Sequence, residues 1–600
     1  MTAGRLLRQR VQSSADAFVR ITDERTVLIF AGLSLLYAAV VVVLSSFKLL
    51  WLDELITLFI VRLGSAAAIW HALQLGADPN PPFSHLCVLL SRSIFGEGAL
   101  ALRLPAAVGY WVGLCSLFTY LKLRLSPIWA LAGTCMSMAM AAFDYSFESR
   151  SYGIVYGLSM FSFLCWATAV QQDTPLPRRS LAIACMTLSL ALGVCTNYFA
   201  ILALIPIGIG ELVRYFARHR IGGSASASTL PVWSGLLASL LPLILFRRLI
   251  EQAIAQYSPY AWNHVSLQGL LDCYTETVES TLLPLLLLFS VAAVLLFVAP
   301  ITNSLGRHRS ASYVQRFRAG SFGVPLHEAA AVLALMAYPV FAFAIASVHG
   351  GMLSPRFVLP VCLGFAVAGT IVIYRISGTN PRVAVALVCL CTAWFLARET
   401  YVAQSYARQR QSFANLVTSV DQATKTMPQD GAVAVPDPLI ALPLEHYADA
   451  SLRGRLVFPV DFAAVRRFRH DDSPEENLWA AKDLIPTLRV ITLTQFEAKS
   501  GPFLIVAAEG NWLLQELNER RYPAILVPIA INTDDIGGFT PLAHGLPRIF
   551  EAHGDENFRS GAFFAPTSSG VAAMPKAVAG AEDSAPRPSI PISRPGAHQQ

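Results

Sequence analysis

Charge is scarce in this chain. Of its 600 residues, 14% are Asp, Glu, Lys or Arg and 54% are hydrophobic, and the mean hydropathy is +0.51. An ordinary soluble domain carries roughly 25% charged residues, so a soluble multidomain enzyme is excluded as a description of the whole chain. Most of the chain reads as membrane-embedded. The net charge is small as well, +6 from 45 basic and 39 acidic residues, which suits neither a nucleic-acid binder nor an acidic disordered protein. Cysteine is missing from the last third: the ten cysteines run from Cys87 to Cys391. A disulfide framework is therefore not expected in residues 399–600. The sequence also lacks a P-loop, a Cys/His metal set and an Asp-x-Asp motif in a loop between spans, which speaks against a nucleotide-dependent enzyme.

What is abundant is long apolar runs. A bilayer-crossing helix needs about 20 mostly apolar residues. Eleven such runs start near Val27, Ala101, Pro127, Ser151, Ser180, Phe199, Pro231, Thr281, Glu328, Phe357 and Val383. The first follows a basic segment (Arg5, Arg8, Arg10) but is long and has no small-residue cleavage site after it, so it reads as a retained span and not a signal peptide. Pro82 to Phe95 is apolar but too short to cross, and it carries His85 and Arg92. It reads as a juxtamembrane helix.

Lys and Arg then fall unevenly on the two sides. One side takes the N-terminal arginines, Lys122, Arg124, Arg178, Arg179, Arg214, Arg218, Arg220, the four arginines from Arg307 to Arg318, Arg375 and Arg382, or 18 in all. The other takes 8: Lys48, Arg62, Arg92, Arg103, Arg150, Arg247, Arg248 and Arg356. By the positive-inside rule the first side is cytoplasmic, and an odd number of spans puts the C-terminus outside. The expected organisation is a cytoplasmic tail (1–26), a polytopic α-helical membrane domain of about 11 transmembrane helices (27–398), an extracytoplasmic α/β domain (399–564) and a disordered tail (565–600). The α/β reading rests on apolar β-rich runs (Ala432 to Val435, Leu456 to Val460, Phe503 to Ala507, Ala524 to Val527) alternating with helical patterns (Pro438 to Tyr447, Glu475 to Leu484, Trp512 to Arg521).

Ionisable groups near hydrocarbon are costly and usually have a task, and four clusters fall in the outward loops. Asp53-Glu54 follows the first span; it reads equally as an acidic helix start or as a reactive pair. Asp78-Pro79-Asn80-Pro81-Pro82-Phe83, with His85 beyond, is a proline-rigidified helix entry. Glu148-Ser149-Arg150-Ser151-Tyr152 joins two spans, where a structural Glu to Arg pair is the plainer reading. Arg356, in Ser354-Pro355-Arg356-Phe357, could simply snorkel to headgroups. On one face of a membrane these groups together supply a proton-accepting carboxylate and guanidinium groups able to hold a phosphate leaving group.

These clusters, with Ala101-Leu102-Arg103-Leu104-Pro105 and Pro355-Arg356-Phe357-Val358-Leu359-Pro360, come in an order that resembles the motif series of the glycosyltransferase-C superfamily. The similarity is to the bacterial relatives of protein O-mannosyltransferase and the lipid A aminoarabinose transferase, over residues 27–400. Ala434 to Ala448 (AVPDPLIALPLEHYA) resembles the start of the soluble domain that many such proteins carry. The resemblance implies an inverting hexosyl or pentosyl transferase of the bacterial inner membrane. It would move a sugar from a polyprenyl-phosphate donor to a lipid, glycan or protein acceptor on the outer side. Asp53 is implied as the catalytic carboxylate with Glu54 as companion. Asp78, Pro81, Pro82, His85, Arg103, Glu148, Arg150, Tyr152 and Arg356 are implied on the substrate side, with Arg150 and Arg356 at the donor phosphate. Two departures, Phe147 where a basic residue is common and Asn80 where histidine is common, leave a divalent metal cation and the donor open.

A transporter, flippase or ligase for a lipid-linked sugar is the competing reading. Transporters often show inverted repeats and broken midmembrane helices; no such repeat is found, and the charges cluster at one face.

Overall fold

The computed structural model describes residues 3–171, 174–220, 226–257, 265–298, 324–349, 352–425, 427–428, 431–485, 488–498, 503–508, 511–520, 524–527 and 547–552. All lie in one compact unit, Met1–Gly554. The segment 565–600, expected to be a disordered tail, lies outside the described residues.

Each expected apolar run coincides with helix. Among the described residues, six helices are long and apolar enough to cross a membrane: Thr26–Phe47, Ala99–Lys122, Tyr152–Ala169, Leu176–Thr196, Tyr198–Ala217 and Pro381–Thr424. Two bent pairs, Thr229–Leu245 with Arg247–Ala255 and Leu326–Met336 with Tyr338–Val348, bring the number to eight if each is one span. The runs at Pro127, Thr281 and Phe357 correspond to Pro127–Met138, Leu267–Val298 and Val361–Ile376. Length and composition alone thus yield eight candidates against the eleven expected. Phe83–Phe95 forms a helix of 13 residues, short of a membrane's thickness. Together with Leu52–Arg62 and Ala66–Gln74 it makes the juxtamembrane layer between the first two long helices.

Two of the long helices touch backbone to backbone. A Cβ added at Gly157 would lie 1.9 Å from the carbonyl oxygen of Gly109, and one at Gly153 would lie 2.4 Å from that of Ala106. Small residues allow this approach, and Arg103, on the Ala99–Lys122 helix, shares a partner, Glu54, with the Ser149 N–H just before the Tyr152–Ala169 helix.

The helix Pro381–Thr424 runs unbroken through residue 398 and leads into the α/β region. Six strands form one sheet there: β1 (Val433–Ala434), β2 (Leu456–Val460), β3 (Arg489–Thr492), β4 (Phe503–Ala508), β5 (Ala524–Val527) and β6 (Pro547–Ala552). Their order is β3-β2-β1-β4-β6-β5. The first four are parallel, and β6 runs antiparallel to both β4 and β5. β1, β2 and β4 are buried along their whole length, as expected of a sheet covered on both faces.

The sheet domain shares a hydrophobic core with the juxtamembrane layer, in which Leu55, Leu58 and Phe59 cluster with Leu442, Leu444 and Phe458. The Leu50 N–H donates to the Tyr447 hydroxyl at 2.8 Å. The sheet domain is therefore held at a fixed height over residue 53.

Candidate active site

Asp53 and Glu54 occupy the first turn of the Leu52–Arg62 helix, where the helix dipole favours carboxylates. Successive helical residues project about 100° apart, so the two side chains diverge. Glu54 turns inward and is fully buried. Its Oε1 accepts from Arg103 Nε at 2.8 Å and from the Ser149 N–H at 2.7 Å, and its Oε2 accepts from Arg103 Nη2 at 2.7 Å. Arg103, also fully buried, spends its remaining N–H groups on the carbonyls of Ser45, Lys48 and Leu49, each at 3.0 Å. It thereby fastens the end of the first long helix. Burial alone would raise the Glu54 carboxyl, but the Arg103 guanidinium outweighs it and holds the group below the ordinary carboxylate range.

Asp53 turns the other way. Its side chain is 17% exposed, and its Oδ2 lies 3.3 Å from Arg356 Nη1 and 3.6 Å from Arg150 Nε. Arg150 is in turn oriented by Asp78, whose Oδ2 accepts from Nη1 at 2.6 Å. Asp78 Oδ1 accepts from the backbone and side chain of Asn80 at 2.8 and 2.7 Å. Burial opposes ionisation of Asp78, yet Arg150 prevails and keeps its carboxyl far below the usual range. Arg356 is steadied by the rings of Tyr152 and Phe357, 5.9 and 5.5 Å from its guanidinium carbon. Glu148 pairs with Lys48.

These groups line a cavity of about 1300 Å³. Asp53, Asp78, Glu148, Arg150, Tyr152 and Arg356 stand on its wall, with Phe199, Leu202, Ile250, Ile254, Ala342 and Leu359 supplying apolar surface. Among the described residues, Glu54, Pro81, Pro82, His85 and Arg103 are not on that wall. Glu54 and Arg103 are withdrawn because they satisfy one another and the backbone. Pro82 caps Phe83–Phe95 from outside the cavity. His85 is buried behind Asp78, its Nε2 3.7 Å from Oδ2. Of the two carboxylates expected as companions, Asp53 stands on the wall and Glu54 does not. For a cation the pair is poorly disposed, and no group of three His, Cys, Asp or Glu side chains able to hold a metal occurs among the described residues.

Charge inventory missed several wall residues. Asn197, uncharged and set between two apolar helices, donates to Asn80 Oδ1 at 3.0 Å and to Ser151 Oγ at 3.1 Å. Tyr406 stands on the wall from the long Pro381–Thr424 helix. Nothing local in the sequence marks Asp437, Asp471, Asn477 and Asn511, which line the cavity from the sheet domain.

No family model and no curated protein matches the chain. Solved structures do. ArnT from Cupriavidus metallidurans bound to undecaprenyl phosphate superposes with a TM-score of 0.53 at 11% identity, over 89% of this chain and 99% of that one. The same enzyme in its apo state gives 0.51 at 11% identity, over 87% and 98%. The chain shares the fold of these ArnT structures along nearly its whole length.

Proposed function

We propose that this chain is a membrane glycosyltransferase that moves a sugar from a polyprenyl-phosphate donor to an acceptor hydroxyl, with inversion, using Asp53 as general base. The observation that carries the reading is a single carboxylate held between two arginines on a cavity wall. It is supported by a fold shared, along nearly the whole chain, with a protein bound to undecaprenyl phosphate.

Without substrate the arginines have Asp53 as their partner, at distances longer than the roughly 2.7–2.9 Å of a strong charge-assisted bond. A donor phosphate offers more oxygens in the fork geometry that guanidinium groups prefer. It displaces Asp53 from the arginines and frees the carboxylate oxygen to accept a hydrogen bond from the acceptor hydroxyl. The acceptor oxygen then attacks the anomeric carbon from the face opposite the phosphate. As the new C–O bond forms, the proton passes to Asp53, and the bond from the anomeric carbon to the phosphate oxygen breaks with its electron pair. Polyprenyl phosphate leaves carrying the additional negative charge, which Arg150 and Arg356 stabilise. Glu54 and Arg103 hold the loop that carries Asp53 and do not touch substrate.

The side of the membrane follows from the basic residues: with 18 against 8, the cavity faces outward in a bacterial inner membrane. A reporter active only in the cytoplasm, fused near residue 420, should be silent. The direct test of the activity is mass spectrometry of glycolipids, polysaccharides and glycoproteins from cells with and without the protein. One sugar should disappear from one class of molecule. An unchanged envelope, with the protein present and folded in the control, would rule the transferase out.

A further inference from the structure

The sheet domain closes the cavity with the carboxyl ends of its parallel strands. In the order β3-β2-β1-β4 the chain moves from β1 outward through β2 to β3 and then returns to the other side of β1, so the winding direction reverses between β1 and β4. In open α/β sheets such a reversal leaves a crevice beyond the strand ends, and that crevice is where ligands bind. Here Asp437 follows β1 and Asn511 follows β4, and both line the cavity that contains Asp53.

The chemistry of the crevice excludes a phosphate. The turn after β1 is Pro436-Asp437-Pro438, with no glycine to admit a close backbone approach and no N–H on either proline. The helix Pro438–Tyr447 already has its N-terminus occupied by a carboxylate, since Asp437 Oδ1 accepts from the Leu439 N–H at 2.9 Å. Arg469, the cation on this wall, is committed: it forks onto Glu475 and donates Nε to the Asp471 carbonyl at 2.9 Å. An anionic group would meet Asp437 and Asp471 with no cation to receive it.

What the crevice offers is a mixed set of donors and acceptors that includes the carboxylates of Asp437 and Asp471. Asn477 Oδ1 is buried and has no hydrogen-bond partner among the described residues. Asp471 Oδ1 is taken by Ser473, which leaves Oδ2 as an acceptor. Asn511 spends its side-chain oxygen on the Leu513 N–H at 3.0 Å, which leaves its amide N–H groups to donate. Phe468 adds an apolar face. Sugar hydroxyls both donate and accept, and they match this set.

We propose that the β1/β4 crevice, with Asp471, Asn477 and Asn511, is an acceptor subsite for a hydroxyl-rich carbohydrate that carries no anionic group. The inference rests on the transferase reading above and specifies the molecule that faces Asp53 from the sheet side. The test uses the full-length protein in nanodiscs, titrated separately with undecaprenyl phosphate and with a panel of neutral, amino and carboxylated oligosaccharides. Neutral and amino oligosaccharides should bind better than carboxylated ones. Asn477→Leu and Asn511→Leu should each weaken that binding by roughly 10-fold, the worth of a lost buried hydrogen bond, and leave undecaprenyl phosphate binding unchanged. Should either leucine variant fail to fold, Asn477→Ser and Asn511→Ser test the same groups with smaller side chains. Preference for carboxylated sugars, no binding by any oligosaccharide, or variants that bind the oligosaccharides as well as the parent would each overturn the assignment. Loss of undecaprenyl phosphate binding by the parent protein would instead count against the transferase reading itself.

Discussion

Neighbouring carboxylates with opposite surroundings should fail in opposite ways when neutralised. Glu54→Gln removes a charge that is fully buried and held at 2.7 to 2.8 Å by Arg103 and the Ser149 N–H. Arg103 is then left buried without its counter-charge, and breaking such a pair costs about 3–5 kcal/mol. The damage spreads to the end of the first long helix, because the same guanidinium holds the carbonyls of Ser45, Lys48 and Leu49. Asp53→Asn removes a charge from a side chain that is 17% exposed and sits 3.3 and 3.6 Å from its arginines, so it costs under about 1 kcal/mol. Thermal unfolding in nanodiscs, followed by intrinsic fluorescence, should therefore show a large drop in midpoint for Glu54→Gln and almost none for Asp53→Asn. Sugar transfer by folded protein should show the reverse ranking. A Glu54→Gln protein as stable as the parent yet as inactive as Asp53→Asn would refute the separation of a clamp from a base.

Three further outcomes follow from the same geometry. Arg150→Lys and Arg356→Lys should both weaken undecaprenyl phosphate binding, since one ammonium cannot reproduce a guanidinium fork; normal affinity would make them anchors of the loop and no more. Gly157→Ala would put a Cβ against the Gly109 carbonyl and should lower the unfolding midpoint, overpacking costing about 1–3 kcal/mol; an unchanged midpoint would show that the two helices can part. Asp78 has a folded-state value below its unfolded value of about 4, so its stabilisation is present above that pH and is lost as pH falls through the folded value. Asp78→Asn should thus lower the midpoint at neutral pH, with the gap to the parent closing only in strong acid; a gap that widens in acid would contradict the Arg150 pairing.

Much of the membrane part is legible in the sequence because each apolar run forms its own helix, with no distant partner needed. The same holds for β1, β2 and β4, whose apolar stretches are short and fully enclosed. β3 (Arg489–Thr492) and β6 (Pro547–Ala552) are not legible: each carries an arginine and takes its place only by pairing with a strand already formed. At the site, the motifs bring Asp53, Asp78, Arg150 and Arg356 together as their order suggests. Adjacent positions on a helix already send Asp53 and Glu54 in different directions, but the sequence does not mark Arg103 as the partner that holds Glu54 inward. Nor does it reveal Asn197, Asn477 or Asn511, since an uncharged residue carries no local mark until the fold sets it on the cavity wall.

The account rests most directly on the rate of sugar transfer by Asp53→Asn. The measurement is turnover of a polyprenyl-phosphate sugar donor by purified, folded protein in nanodiscs, paired with undecaprenyl phosphate binding to the same preparation. Asparagine keeps the size of aspartate and cannot take the acceptor proton, so turnover should fall roughly 100-fold or more while lipid phosphate binding is retained. Transfer at close to the parent rate would contradict the assignment of Asp53 as the base.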